Sequence, residues 1–398
     1  MKDAADETDV ATSERAQSAV YRATALADAA FGAAASVPTL EDGFALLHTA
    51  GLLAAPLPHA LHASGCDLDG RRATLYPLLR VLHAVGYVDQ SLGRVYEGHV
   101  NALHLILTWG TPEQQARWAS DAAEGHIFGV WNTEAGDGVH LHPDAAGQEV
   151  RLSGAKTFGS GAGTLTRVIA PGALPEGAWQ MTVVPLDRAP VTIDSSWWKP
   201  MGMEASASGK VTFDDVRITT DDLLGQPGVY HRQPWFAGGA VRFAAVHLGG
   251  AEALLDAARR FLQQLKRTED PYQRQRFGRA AGAIASGHAW LRYAAERVDL
   301  DPCLQHDDAS IARTLLAANM TRLAIADICL QVADLVQHAV GARGLMQPVG
   351  IEQRLRDLLF YVRQPAPDSV LANVGTTVLD TPGRVGHLLQ MADRDDVP

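Results

Sequence analysis

The segment VHLHPD, 139–144, puts two imidazoles and a carboxylate, His140, His142 and Asp144, within a few residues. These are metal-ligand types. Their spacing is strand-like in a turn-rich stretch, and the segment is read as a solvated loop between two strands rather than a metal site. His83, His99 and His104 fall in helical patterns and are read as satisfied or partly exposed helix histidines, so no metal is expected. A second candidate is RDLLFYVRQPAPDSV, 356–370. Leu358, Leu359, Tyr361 and Val362 give a helix one buried face, and Pro365 and Pro367 then stop it. Each proline lacks a backbone donor and pushes its predecessor out of helical geometry. At this break Arg363 and Gln364 are suited to orient an anionic or polar substrate, and Asp368 offers a carboxylate that can accept a proton. Familiar signatures are missing: no GxGxxG follows a strand, and neither GxxxxGK[ST] nor HExxH occurs.

The elements that must position these groups divide by periodicity. From about 13 to 123 the chain is rich in Ala and Leu at helical spacing, as in Leu75, Leu78, Leu79, Leu82 and Val85. Thr111, Pro112 and Glu113 read as a helix start. From about 127 to 225 Gly and Pro become frequent, and VRLSG (150–154), QMTVVPL (180–186) and KVTFDDVRI (210–218) read as strands of an antiparallel sheet or barrel. After Phe236 long helices return, with stripes at Leu254, Leu255, Ala258, Phe261, Leu262 and Leu265, and at Ile325, Ile328, Cys329, Val332, Leu335 and Val336.

At 398 residues the chain has room for two or three domains. A net charge of −11 with no compensating Lys/Arg block argues against a nucleic-acid partner. Three scattered cysteines, Cys66, Cys303 and Cys329, read as a reduced intracellular protein without disulfides or a zinc site. The opening MKDAADETDVATSE is unlike a targeting peptide, and no run of ~18 apolar residues occurs, so the expectation is a cytoplasmic protein with no membrane span.

Four stretches, 88–136, LSGAKTFGSGAG (152–163), KPMGMEASASGKVTFDDVRITTDDLLGQPG (199–228) and QRQRFGR (273–279), resemble the acyl-CoA dehydrogenase family in order and spacing, over about residues 75 to 365. The resemblance implies an α+β fold: an N-terminal helical domain (1–126), a middle antiparallel β barrel (127–228) and a C-terminal four-helix bundle (229–398). It also implies a flavoprotein holding FAD, assembled as a homodimer or homotetramer. Thr133 stands where the family hydrogen-bonds the flavin pyrimidine edge, Phe158 where an aromatic ring covers the isoalloxazine, and Ser160 where a hydroxyl reaches N5. Arg274, followed by Phe277, matches the arginine that grips the pyrophosphate of a neighbouring subunit's flavin. HAVGARGL, 338–345, matches a helix break written QxxGGxG, with His338 for the glutamine, Gly341 for the first glycine and Ala342 for the second.

The same alignment explains the prolines. Counted on from Arg356 and Asp357, the family's catalytic glutamate falls on Pro365. In branches that carry the base before an arginine of an earlier helix, Arg242 matches that arginine and Val241 precedes it. Both base positions are apolar. Asp368 is the remaining carboxylate, with a helix N-cap as its plainer role. Three functions follow as expectations. The first is a flavin-dependent oxidoreductase passing hydride from a substrate C–C bond to flavin N5, on a small molecule such as an acyl thioester, with an electron-transfer partner. The second is a monooxygenase taking reduced flavin from a partner reductase, which needs a dry pocket rather than a base. The third is a non-catalytic flavin-binding accessory protein.

Overall fold

The computed structural model of the protein describes residues 2–33, 39–301, 304, 306–347, 349–363 and 365–390. Five helices come first: α1 (Lys2–Ala33), α2 (Leu40–Thr49), α3 (Arg72–Val88), α4 (Gln90–Trp109) and α5 (Pro112–Ala123). The predicted start of α5 is a reciprocal cap. The Thr111 side chain accepts the Gln114 N–H, and the Gln114 side chain accepts the Thr111 N–H.

Nine strands follow: β1 (Phe128–Val130), β2 (Glu134–Pro143), β3 (Glu149–Gly159), β4 (Arg167–Ile169), β5 (Gly172–Ala173), β6 (Trp179–Pro185), β7 (Thr192–Asp194), β8 (Gly209–Thr219) and β9 (Leu223–Leu224). They form one curled sheet in the order β1-β4-β6-β5-β2-β3-β8-β7, with β9 on β6. The expected antiparallel pattern holds along most of it, but β1–β4 and β2–β5 are parallel. Parallel neighbours need long crossovers and leave no turn signature in sequence. Register shifts at Ala135/Val139, Leu152/Gly154 and Lys156/Gly159 mark the irregular points of the β2–β3–β8 ladder, and such bulges bend a sheet.

Helices then resume as α6 (Trp235–Gly238), α7 (Ala240–Gln264), α8 (Pro271–Arg297), α9 (Asp308–Gly344), α10 (Ile351–Tyr361), α11 (Pro367–Asp380) and α12 (Val385–Gln390). The 325–336 stripe of α9 is buried throughout, and α3 and α7 contribute to the same core. By length and composition α9 alone, among the described residues, would be apolar enough to cross a membrane, a test that the buried helix of a packed core also passes. It breaks at Gly341, whose φ of 59° and ψ of −173° suit glycine, at the place the HAVGARGL pattern marks.

Helix α10 fastens the 199–203 loop to the helices. Asp357 accepts the Met203 N–H at 2.5 Å, and Arg356 donates to the Met201 carbonyl at 3.0 Å. Burial, opposed by that N–H and reinforced by Asp89, pushes the Asp357 carboxyl up to about 6. Between an ordinary carboxylate value of ~4 and 6 the folded chain therefore binds more proton than the unfolded one, and stability falls as pH rises through that window. Asp357→Asn keeps an acceptor and removes the titration. Its Tm relative to the parent should climb from pH 4 to 6 and level off above. A pH-independent difference would mean that Asp357 ionises normally.

Candidate active site

One end of β3 gathers the three residues that the resemblance assigns to a flavin ring. Thr133, exposed between β1 and β2, is held by its carbonyl, which accepts the Thr157 N–H at 2.8 Å. Phe158 has φ of 52° and remains 49% exposed, an unusual cost for a large apolar residue. Trp197 and Trp198 stand edge-on to it at 5.0 and 6.0 Å, forming an aromatic face open to a flat ligand. Ser160 Oγ lies 2.9 Å from Ser208 Oγ, which lies 2.8 Å from Ser206 Oγ; Ser206 donates to the Met203 carbonyl at 2.8 Å. Trp131 Nε1 donates to the Ser160 carbonyl at 3.1 Å, fixing the turn that carries the hydroxyl. Beneath this face the Lys156 ammonium, fully buried, pairs with Glu134 and donates to the Asn132 carbonyl at 3.3 Å.

The helical wall continues from the same aromatics. Trp198 meets Phe360 at 5.6 Å, and the next residue, Tyr361, meets His247 of α7 at 4.4 Å. Phe243 lies 5.4 Å from His247 on its other side. Arg322 of α9 donates to the Pro365 carbonyl at 2.9 Å while lying over the Phe243 ring, so it fastens the proline loop beside this group. His247 is 1% exposed, and neither ring nitrogen closes a hydrogen bond. Burial, with the nearby charges of Arg322 and Arg94, pushes it down to about 3, and the Tyr361 backbone opposes this only weakly. It is a neutral imidazole. A lone histidine in an apolar helical stripe gives no sign in sequence of this setting.

Arg363 and Asp368 are both exposed, and Gln364 lies outside the described residues. Asp368 is not the cap of α11. Pro367 takes the first helical position, where its missing N–H costs nothing, which leaves the cap to Ala366 at φ of 54°. At the alternative base position Val241 is core, and Arg242 binds Glu97 at 3.1 Å and Asn101 at 2.5 Å. Glu97 is a buried carboxylate that sequence reasoning missed, since its partner Arg242 lies far along the chain. Both its oxygens are occupied, Oε1 by Arg242 and Oε2 by Arg94 at 3.1 Å.

The residues assigned to the phosphate side lie elsewhere. Arg274, in the first turn of α8, is exposed and pairs with Glu269 at 2.5 Å, Phe277 is half-buried, and His338 is exposed beside Asp334 at 3.6 Å. Gln273 donates to the Ala339 carbonyl at 3.2 Å, joining the start of α8 to the Gly341 kink. Among the described residues no hydrogen bond, ion pair or ring contact joins this group to Thr133, Phe158 or Ser160 within one chain. The VHLHPD groups do not converge either. His140 and His142 lie on β2, not on a loop, and contact the Asp137 carbonyl at 3.1 Å and Ser153 Oγ at 2.9 Å; Asp144 accepts the Gln148 N–H at 2.8 Å. His99 and His104 contact the Leu53 and Leu68 carbonyls at 2.7 and 3.1 Å.

Residues 241–361 match the family described as "Acyl-CoA dehydrogenase, C-terminal domain". The chain is 26% identical over 379 residues to a dibenzothiophene monooxygenase of Mycolicibacterium goodii, covering 84% of this chain and 86% of that one. It is 24% identical over 339 residues to the probable FMNH2-dependent monooxygenase SfnC of Pseudomonas putida, covering 78% and 81%. The crystal structure of TdsC from Paenibacillus sp. A11-2 with FMN and indole shares the fold at a TM-score of 0.79, with 21% identity over 92% of this chain and 98% of that one. With its helix–sheet–helix order, its Gly341 break and this match, the chain belongs to the acyl-CoA dehydrogenase-like family.

Proposed function

We propose that the protein is a flavin oxidoreductase of the monooxygenase kind, using FMN delivered in reduced form by a separate reductase to oxygenate a small organic molecule. The observation that carries this reading is the absence of an available base. Pro365 stands at one family position for it and Val241 at the other, and the buried carboxylate Glu97 is held by two guanidinium groups. Abstracting a proton next to a thioester needs a positioned carboxylate worth ~10²–10⁴-fold, and neither base position nor Glu97 supplies one. The dehydrogenase expectation therefore gives way to the second reading, which the names of the relatives also favour.

The residues present fit a flavin. Phe158, Trp197 and Trp198 offer an aromatic face, Ser160 and Thr133 offer hydroxyls, and exposed Arg274 offers a fork for phosphate. Bound there, the flavin supplies the activation of oxygen. His338 and Ala342 replace the glutamine and second glycine of the segment that serves FAD's adenine side, which favours FMN, as does the FMN in the TdsC structure's name. Arg274 and the 338–341 segment serve a flavin held chiefly by a second copy of the chain, because within one chain they stand apart from Phe158. The apolar wall of Phe243, Tyr361 and Phe360 keeps water from the reacting side, and His247 stays neutral within it.

Two assays run side by side test this. With FMN, a reductase and dibenzothiophene or indole as probes, oxygen uptake should yield an oxygenated product. Without oxygen, acyl-CoAs should leave the oxidised flavin unreduced. Pro365→Glu should not change the second result, because Ala366 and Pro367 fix the backbone beside it and a ~1 Å misplacement costs ~10²-fold. Brisk flavin reduction by an acyl-CoA, in the parent or in Pro365→Glu, would return the protein to the dehydrogenases.

A further inference from the structure

Away from the aromatic face, three helices converge on Glu252 of α7. His83 Nε2 of α3 lies 3.1 Å from Glu252 Oε2, and His288 Nε2 of α8 lies 3.2 Å from the same oxygen. The imidazole centroids are 4.8 Å apart, and one donor atom from each residue lies within 4.8 Å of the other two. Two glycines beside the cluster permit this convergence. A Cβ on Gly249 would fall 2.0 Å from the His83 carbonyl, and one on Gly287 would fall 2.4 Å from a Leu248 methyl. One turn along, Tyr87 donates to Asp256 at 2.8 Å, so the α3 and α7 faces are pinned together twice. Burial opposes ionisation of Glu252, yet the hydrogen bonds from His288 and His83 overcome it and hold the carboxyl well below the usual range.

We propose that His83, Glu252 and His288 form a binding site for a divalent transition metal of the zinc class, with a fourth position open to solvent. Two neutral imidazoles and one carboxylate are a three-ligand zinc set, whereas calcium and magnesium prefer oxygen donors alone. Metal–ligand bonds of ~2.0–2.2 Å place tetrahedral donor atoms about 3.3 Å apart, so the two histidine–carboxylate separations need to open by only a few tenths of an ångström, while the two imidazole donors, within 4.8 Å of each other, turn to the same spacing. The open position faces a cavity of about 420 Å³ lined in part by Phe31, Tyr76, Arg80, Tyr87, Asp256 and Arg259. It has room for water or a small anion beside the two arginines. Sequence reading took His83 as a satisfied helix residue because its partners lie on two distant helices. None of the three residues touches the flavin face, so the site stands or falls independently of the proposed oxygenation.

The test uses the full-length chain without a purification tag, stripped by a chelator and titrated with Zn²⁺ and separately with Co²⁺. The expected result is one tight equivalent, visible tetrahedral Co²⁺ bands, and a Tm that rises with Zn²⁺ because only the folded chain assembles the ligands. Glu252→Gln and His288→Ala should each weaken binding at least ~100-fold, since losing even an outer-shell partner of a metal ligand costs ~10–100-fold. His288 is half-exposed, so its variant reports even if Glu252→Gln folds poorly. No stoichiometric binding at micromolar metal, or binding untouched by both variants, would reduce the cluster to a hydrogen-bonded latch and overturn the proposal.

Discussion

Replacing His247 by phenylalanine should raise the Tm of the fold while lowering product formation about 10²-fold or more. The two effects share one cause. A buried polar group without well-formed hydrogen bonds costs ~1–3 kcal/mol, and the ring nitrogens of His247, between Phe243 and Tyr361, have no more than a weak interaction with the Tyr361 backbone. Phenylalanine fills similar space and removes that cost. The variant tests the expectation that an imidazole kept at such expense beside the Pro365 loop finds its hydrogen bond with substrate or flavin in place. Removing one preorganised donor from a water-excluded site costs ~10²–10³ in rate. The pH dependence separates this role from a titrating base. With a folded value of about 3 against ~6.5 unfolded, the unfolded chain binds more proton between those limits, and stability is lost as pH falls below ~6.5. The Phe variant's advantage in Tm should therefore widen on acidification. The parent's activity should show no step at ordinary histidine pH, because the imidazole is already neutral there. Full coupled turnover by the variant, with flavin retained, would remove His247 from the chemistry.

What the sequence made legible followed local rules. The Leu75–Val85 stripe, the Thr111 cap and the Gly341 break each depend on residues within a turn or two, where period, capping chemistry and positive φ leave a mark. Strands β3 and β8 were legible by alternation, whereas β6, expected on the same ground, is a strand buried on both faces. The groups that make the site unusual depend on distant parts of the chain instead. Glu97 meets Arg242, Arg322 meets Pro365, and His83 meets Glu252 and His288 only after the helices pack. Asp368 shows the opposite error, a local rule applied two positions wrong. A proline preceding an acidic residue can itself open the helix, which moves the cap upstream to Ala366 and leaves the carboxylate exposed.

Glu134→Leu should cost the fold about 3–5 kcal/mol, the usual penalty for leaving one member of a buried ion pair alone. Lys156 is fully buried, and burial already pushes its ammonium down; Glu134, 28% exposed, is its only anionic partner among the described residues. The two are direct cross-strand neighbours in the β2–β3 ladder, next to Thr133 and two residues from Phe158, so the damage reaches the aromatic face. Flavin retention should fall with stability. Lys156→Met should cost less, because the partly exposed Glu134 can then be hydrated. The double variant should recover most of the loss, since an apolar pair in place of a buried ion pair is often neutral. What remains is the Val139 N–H, which Glu134 Oε2 accepts at 3.0 Å and leucine cannot. A thermodynamic cycle from denaturant unfolding measures the coupling directly. Additive single costs would mean that Lys156 finds its stabilisation in the Asn132 carbonyl and the Trp179 ring, 5.1 Å away, and that the carboxylate serves the Val139 turn alone.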